Sequence, residues 1–303
     1  MIIVEIFAGL GNQMFQYALG RALALKNDVP LKLDIGSYTS TVANTRLDIR
    51  VYGLHHLNIQ APLASGAETA AFHKYVRPGW IGRFWRVTNR NLGAYYKKPY
   101  IVEPPSHYYQ FDRRLLDHDF RRRNVYLRGY WQTERYFKDI RDLLVKEFTV
   151  KDPPSPKNLQ ILQCIQQTDA VSLHLRHGNN LDPQNPFGVL TESYYRNAIA
   201  ELVKIVHRPT VFVFSDDPAW AAAAFKLDLP VVYVGNDENS DYEDLRLMSA
   251  CKYHIIANSS FSWWGAWLST WPGKVVYAPP GQSLKKKIPR RDLYPLEWKV
   301  LDL

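Results

Sequence analysis

The chain has 303 residues, 46% of them hydrophobic and 22% charged, which excludes a disordered polypeptide and leaves room for two domains of ordinary size. Its formal charge of +9 favours an anionic partner: a phosphorylated substrate, a nucleic acid or an acidic membrane face. The two cysteines, Cys164 and Cys251, with no Cys-x-x-Cys pair and no Cys/His cluster, give neither a disulfide framework nor a structural zinc site.

The opening run MIIVEIFAGLGNQ has no basic region before its short apolar stretch, so it reads as neither a signal peptide nor a membrane anchor. No run of about eighteen apolar residues occurs elsewhere, so a cytoplasmic protein is expected, with peripheral contact at the inner membrane face left open. Ile2 to Phe7 is apolar and β-branched and breaks at a glycine turn, as a buried strand does. Met14 to Lys26 has apolar residues at helical spacing, and Leu31 to Ile35 reads as a second strand, giving a βαβ start. From Thr69 to Val102 no acidic residue occurs, while Lys74, Arg77, Arg83, Arg86, Arg90, Lys97 and Lys98 interleave with Trp80, Phe84, Trp85, Tyr95 and Tyr96. Tyr136 to Phe148 reads as an amphipathic helix, and the proline-rich Lys151–Pro156 as a linker between domains 1–150 and 151–303.

After the linker the α/β pattern restarts. Strands are expected over Ala170 to Leu175, Thr210 to Phe214, Val231 to Val234, Tyr253 to Ala257 and Lys274 to Ala278. Helices are expected over Glu192 to Val206, Pro218 to Leu227, Tyr242 to Ala250 and Ser262 to Ser269. Two α/β domains of this kind commonly take a ligand in the cleft between them.

Four segments carry candidate chemistry. Gly9-Leu10-Gly11-Asn12-Gln13, between a strand and a helix, lets backbone approach a phosphate at a helix N-terminus, or makes a tight structural turn. His174 and Arg176 share one face at the end of a buried strand, where Arg176 suits a diphosphate or a structural ion pair. Ser215-Asp216-Asp217 after the strand VFVF is placed to accept from a guanine edge or to cap the next helix. Asn258-Ser259-Ser260-Phe261-Ser262 builds a second anion-binding helix start, and Trp263, Trp264 and Trp267 on that helix read as core. Asp117-His118-Asp119 is the one D-x-D, and its charged surroundings read as solvated surface rather than a metal site.

Taken together, GLGNQMFQYALG, GYWQTERYF, HLRHGN, FVFSDDP and LMSACKYHIIANSSFSWWGAWLS, in that order, resemble glycosyltransferase family 11, the α-1,2-fucosyltransferases. The resemblance covers nearly the whole chain. It implies a GT-B-type α/β fold of two Rossmann-like domains with a cleft between them, an inverting mechanism, GDP-fucose as co-substrate, and neither metal nor cofactor. It implies that Arg176 binds the donor diphosphate, that His174 and Asp217 lie near the guanosine, that Ser259, Ser260 and Ser262 approach the phosphates, and that Asp216, Asn258 and Phe261 belong to the same donor site. Gly11, Asn12 and Gln13 would then close over the diphosphate from the N-terminal, acceptor-side domain. The implied acceptor is a galactose-terminated glycan.

One segment departs from the family. Where the family has H-x-R-R-x-D, this chain has His177 and Asn179, a form similar to that of α-1,6-fucosyltransferases acting on chitin oligosaccharides. Asn179 cannot act as a base, so Asp182 on the same loop is the first candidate. A fucosyltransferase of another linkage therefore stays open. A single-stranded nucleic-acid binder would use the basic, aromatic run but leaves GLGNQ and NSSFSWW without a role, so no nucleic-acid partner is expected.

Overall fold

Every strand pairing among the described residues is parallel, so each strand must reach the next through a crossover that covers a sheet face. The structure is a computed structural model and describes residues 1–39, 51–76, 79–91, 94–176, 190–236, 240–281 and 292–301. These residues form two units, one of Met1–Phe148 with Asp292 and Leu293, the other of the remaining residues from Thr149 on.

The first unit holds β1 (Ile2–Glu5), α1 (Leu10–Asn27), β2 (Leu31–Asp34), α2 (Gly36–Thr39), α3 (Gly66–Thr69), α4 (His73–Val76), α5 (Gly79–Asn91), β3 (Tyr100–Val102), α6 (Arg113–Leu116), β4 (Val125–Arg128) and α7 (Arg141–Glu147). Its sheet runs β2-β1-β4-β3. Helix α1 starts at Leu10, four residues earlier than its apolar spacing predicts, because Asn12 and Gln13 donate their N–H groups to the Gly9 carbonyl. It lies close on the sheet: a Cβ at Gly20 would come within 2.5 Å of Val4 and 2.9 Å of Leu31. The carboxylate of Glu147 on α7, buried, accepts from Tyr17 at 2.6 Å and from Arg21 at 2.8 Å, tying α7 to α1.

The opposite face of this sheet is covered by the acid-free run. Phe72, Tyr75 and Tyr100 are buried against Ile3 and Tyr126, with Trp85 packed behind them. The helix predicted over Tyr136 to Phe148 is shorter, reaching only from Arg141, and two 3-10 turns at Glu134–Tyr136 and Lys138–Ile140 take its first half. β3 and β4, three and four residues long, show no periodicity in sequence because each is flanked by charge and turn residues.

The second unit holds α8 (Pro156–Gln167), β5 (Asp169–Leu175), α9 (Glu192–Val203), β6 (Pro209–Ser215), α10 (Pro218–Ala224), β7 (Val231–Val234), α11 (Asp241–Ala250), β8 (Tyr253–Ile255), α12 (Ser260–Leu268), β9 (Val275–Ala278) and β10 (Lys299–Val300). The proline-rich stretch ends differently from expectation. Pro156 is the first residue of α8, with Ser155 capping it by accepting from the Asn158 N–H, since proline's missing donor is not needed there. The sheet order β10-β9-β8-β5-β6-β7 is that of a dinucleotide-binding fold read from its far edge. α9 and α10 bury Tyr194, Leu202, Ala221 and Phe225 on one face, while α8 and α11 bury Ile165, Leu247 and Met248 on the other. Trp263, Trp264 and Trp267 are buried in α12, so their rings belong to the core.

Replacing Gly20 by Val pushes a stiff branched side chain into Val4. The unfolding free energy is expected to fall by about 2 kcal/mol, read as a lower urea midpoint at unchanged m-value; an unmoved midpoint would contradict the close packing of α1.

Candidate functional site

In the second unit the crossovers change face between β5 and β8. The chain leaves β5 towards α9 on one side and β8 for α12 on the other, so the carboxyl ends of these two strands flank a seam between the two crossovers. The end of β5 brings His174 and Arg176 to that seam, and the turn after β8 brings Asn258, Ser259 and the start of α12. The rings of His174 and Phe261 lie 6.0 Å apart, edge to face, which joins the two motifs across the seam.

His174 is buried, and its Nδ1 has no hydrogen-bond partner among the described residues. Burial, and then the Arg176 charge beside it, push its pKa down to about 4, with Asp216 opposing. The imidazole is therefore neutral at working pH, and Arg176, half-buried, is the fixed cation of the group. The Arg176 backbone is held by a hydrogen bond to the hydroxyl of buried Tyr195 on α9, a residue that nothing in the sequence singles out.

The serines divide by role. Ser259 caps α12 by accepting from the Phe261 N–H at 3.2 Å. The Ser262 hydroxyl accepts from the Ala257 N–H at 3.2 Å and points back to the Ser259 carbonyl, so it holds the strand-to-helix turn. Asn258 is buried beneath the turn, and Ser260 is only partly covered at the helix start. After β6, Asp217 caps α10 by accepting from the Trp220 N–H at 2.9 Å, and Asp216 beside it is exposed. Asp182, His177, Asn179 and Asn180 lie outside the described residues.

In the first unit β1 and β4 lie side by side, so the turns that follow them are neighbours. Ala8 after β1 and Trp131 after β4 both take left-handed backbone, φ 65° and 56°, uncommon for residues with side chains. Side chains hold both turns. Gln13 spends its whole amide there, donating to the Ala8 and Val51 carbonyls at 2.9 and 2.8 Å and accepting from the Gly53 N–H at 2.9 Å. One carboxylate oxygen of Glu103 accepts from the Tyr130 and Trp131 N–H groups at 2.7 and 3.2 Å. Gln132 then donates to Asn12 at 2.6 Å, so GLGNQ and GYWQTERYF meet. Arg128 pairs with buried Glu5 at 2.8 Å, and Phe7 packs edge-on against Tyr130. Gly11 is buried within the first turn of α1.

Sequence reasoning missed Glu103, Gln132 and Arg128. The last two stand in or beside a quoted motif, and Glu103 is the first acid after the acid-free run, but only the fold brings the three together. Asp117 pairs with Lys26 and Arg113, and Asp119 with Arg121, on the exposed surface.

Known proteins match the chain over nearly its whole length. The sequence profile of glycosyl transferase family 11 matches residues 1–302. The chain is 30% identical over 309 residues to the α-1,2-colitosyltransferase of Escherichia coli, covering 98% of each. It is 33% identical over 287 residues to the O-antigen biosynthesis glycosyltransferase WbnK of Escherichia coli, covering 89% of this chain and 91% of the relative. A mutant of Arabidopsis thaliana FUT1 in complex with GDP shares the fold at a TM-score of 0.50 and 12% identity, over 93% of this chain and 71% of that one. The chain belongs to glycosyl transferase family 11 and is a glycosyltransferase of the GT-B type.

Glu103 gives a pH test of the first unit. Burial lifts its pKa from the usual carboxylate range to about 7, against the two backbone donors. The folded state then binds a proton that the unfolded state has lost, so this group's contribution to stability falls as pH rises from about 4.5 to 7. The difference in unfolding free energy between wild type and Glu103→Gln should change across that window and be flat above it. A difference independent of pH would mean that Glu103 does not titrate there.

Proposed function

We propose that the chain transfers L-fucose from GDP-fucose to the 2-hydroxyl of a terminal galactose on an oligosaccharide or polysaccharide acceptor, with inversion at the anomeric carbon. The observation that carries this reading is the seam between β5 and β8, where Arg176 stands beside neutral His174, whose ring meets Phe261 at the start of α12 edge to face. A fixed cation and a helix N-terminus suit a nucleoside diphosphate. The full-length relative that is an α-1,2-colitosyltransferase supports the 1,2 linkage. The relative named for O-antigen biosynthesis supports a bacterial polysaccharide acceptor, which fits work at the cytoplasmic face.

In this reading the acceptor hydroxyl oxygen bonds to the anomeric carbon as the bond from that carbon to the β-phosphate oxygen breaks, and GDP leaves with the electron pair. Arg176 and the start of α12, through Ser259 and Ser260, meet the charge that builds on the departing diphosphate. No metal is needed for that role, and no cofactor beyond the donor. His174 and Asp216 take the guanosine side, with Asp217 setting the α10 turn beside them. Asp182 receives the hydroxyl proton. A second reading, in which the transferred sugar is colitose, fucose without its 3-hydroxyl, follows from the same relative.

GDP release in EDTA, with lactose, N-acetyllactosamine and a chitin oligosaccharide as acceptors, tests the reading. Release stimulated by the β-galactosides, with a 1,2 linkage in the product by NMR, is expected. Release only with the chitin oligosaccharide would overturn the acceptor, and a GDP-colitose rate well above that with GDP-fucose would overturn the donor. Arg176→Ala is expected to lower turnover roughly a thousandfold while the protein stays folded. Asp182→Asn should lower turnover and remove the acid limb of the pH–rate profile; full rate at every pH would exclude it as the base.

A further inference from the structure

The acid-free run leaves a second feature that the sugar-transfer site does not use. Helix α5 is anchored on its inner side. Trp85 packs against the Ile3, Phe72, Tyr75, Tyr100 and Tyr126 cluster, and Arg86 donates to the Tyr75 carbonyl at 2.7 Å. The Nζ of Lys74 sits 4.5 Å over the Trp85 ring. With that side fixed, the helical period turns Trp80, Phe84 and Val87 outward in one stripe. They are 79%, 58% and 41% exposed.

A soluble surface seldom presents a tryptophan and a phenylalanine in line on one helix. Exposed Arg83 borders the stripe, Lys74 is exposed beside Trp85, and no acid occurs from Thr69 to Val102. An apolar stripe beside a purely basic flank suits an interface that is apolar within and anionic at its surface. A protein partner offers no reason for the missing acids, and a nucleic acid none for the apolar residues.

We propose that this face of α5 docks the enzyme on an anionic lipid bilayer, with Trp80 and Phe84 entering the boundary between headgroups and acyl chains and Arg83 meeting lipid phosphates. The proposal is independent of the donor and acceptor assignments.

Cosedimentation of the intact chain with phosphatidylcholine vesicles, with and without phosphatidylglycerol, tests it. Binding is expected only with phosphatidylglycerol, weakening as ionic strength rises. The emission lost in Trp80→Phe should shift to shorter wavelength on binding. The double variant Trp80→Ser, Phe84→Ser should lose about tenfold or more in vesicle affinity with its circular dichroism and its turnover on a soluble acceptor unchanged. Arg83→Ala, which keeps the aromatic stripe, should weaken only the phosphatidylglycerol-dependent part. No binding by the wild type, or equal binding by the double variant, overturns the proposal. So does self-association that the double variant abolishes while vesicles are ignored, which would assign the face to a second copy of the chain.

Discussion

A parallel strand reaches its neighbour only through a crossover, and each right-handed crossover must take one face of the sheet. Where the order of strands reverses, the crossovers leave on opposite faces and nothing covers the carboxyl ends between them. The second unit of this chain is built around one such reversal, at β5 and β8; in the first, β1 and β4 lie side by side and the helices that follow them, α1 and α7, are tied together. The placement of His174, Arg176, Asn258 and the start of α12 follows from the reversal. The meeting of Asn12 with Gln132 follows instead from the pairing of β1 with β4.

The strand ends of the two units are furnished differently. In the second unit the dominant quantity is charge. Burial and Arg176 keep His174 neutral, and Tyr195 holds the Arg176 backbone. In the first unit it is shape: Ala8 and Trp131 occupy left-handed backbone that only a dense set of side-chain hydrogen bonds can hold. Gln13 supplies that set on one side and Glu103 on the other. Several polar residues in the quoted motifs therefore act as supports for a turn. Ser262 and Asp217, whose side chains accept from backbone N–H groups, belong to this class too.

Aromatic and basic residues also divide by depth. Trp131, Trp263, Trp264, Trp267 and Trp298 are buried, so much of the tryptophan content serves packing. The acid-free run splits in the same way, with Phe72, Tyr75 and Tyr100 inward against the sheet and Trp80 and Phe84 outward on α5. The interleaving of Arg with Trp in the sequence is the trace of one amphipathic helix and its neighbours wrapped over a sheet face.

The sequence by itself determined the α/β class, most strands and helices of the second unit, and the family, because period-2 and period-3.6 patterns and the five motifs are local and survive without any tertiary contact. Val231–Val234 is the same strand in sequence and structure, and α11 and α12 differ only at their ends. It also pointed to Arg176 and the α12 start, since both lie where a strand ends. The tertiary structure alone decided β3 and β4, too short for periodicity, and the helix that Pro156 opens rather than prevents. It alone joined Glu103 to the Trp131 turn, Gln132 to Asn12, and Tyr195 to Arg176, pairs 28, 120 and 19 residues apart in the chain. Which polar atom of a motif is left for a ligand and which one holds the backbone depends on partners distant in sequence, so spacing carries no trace of it.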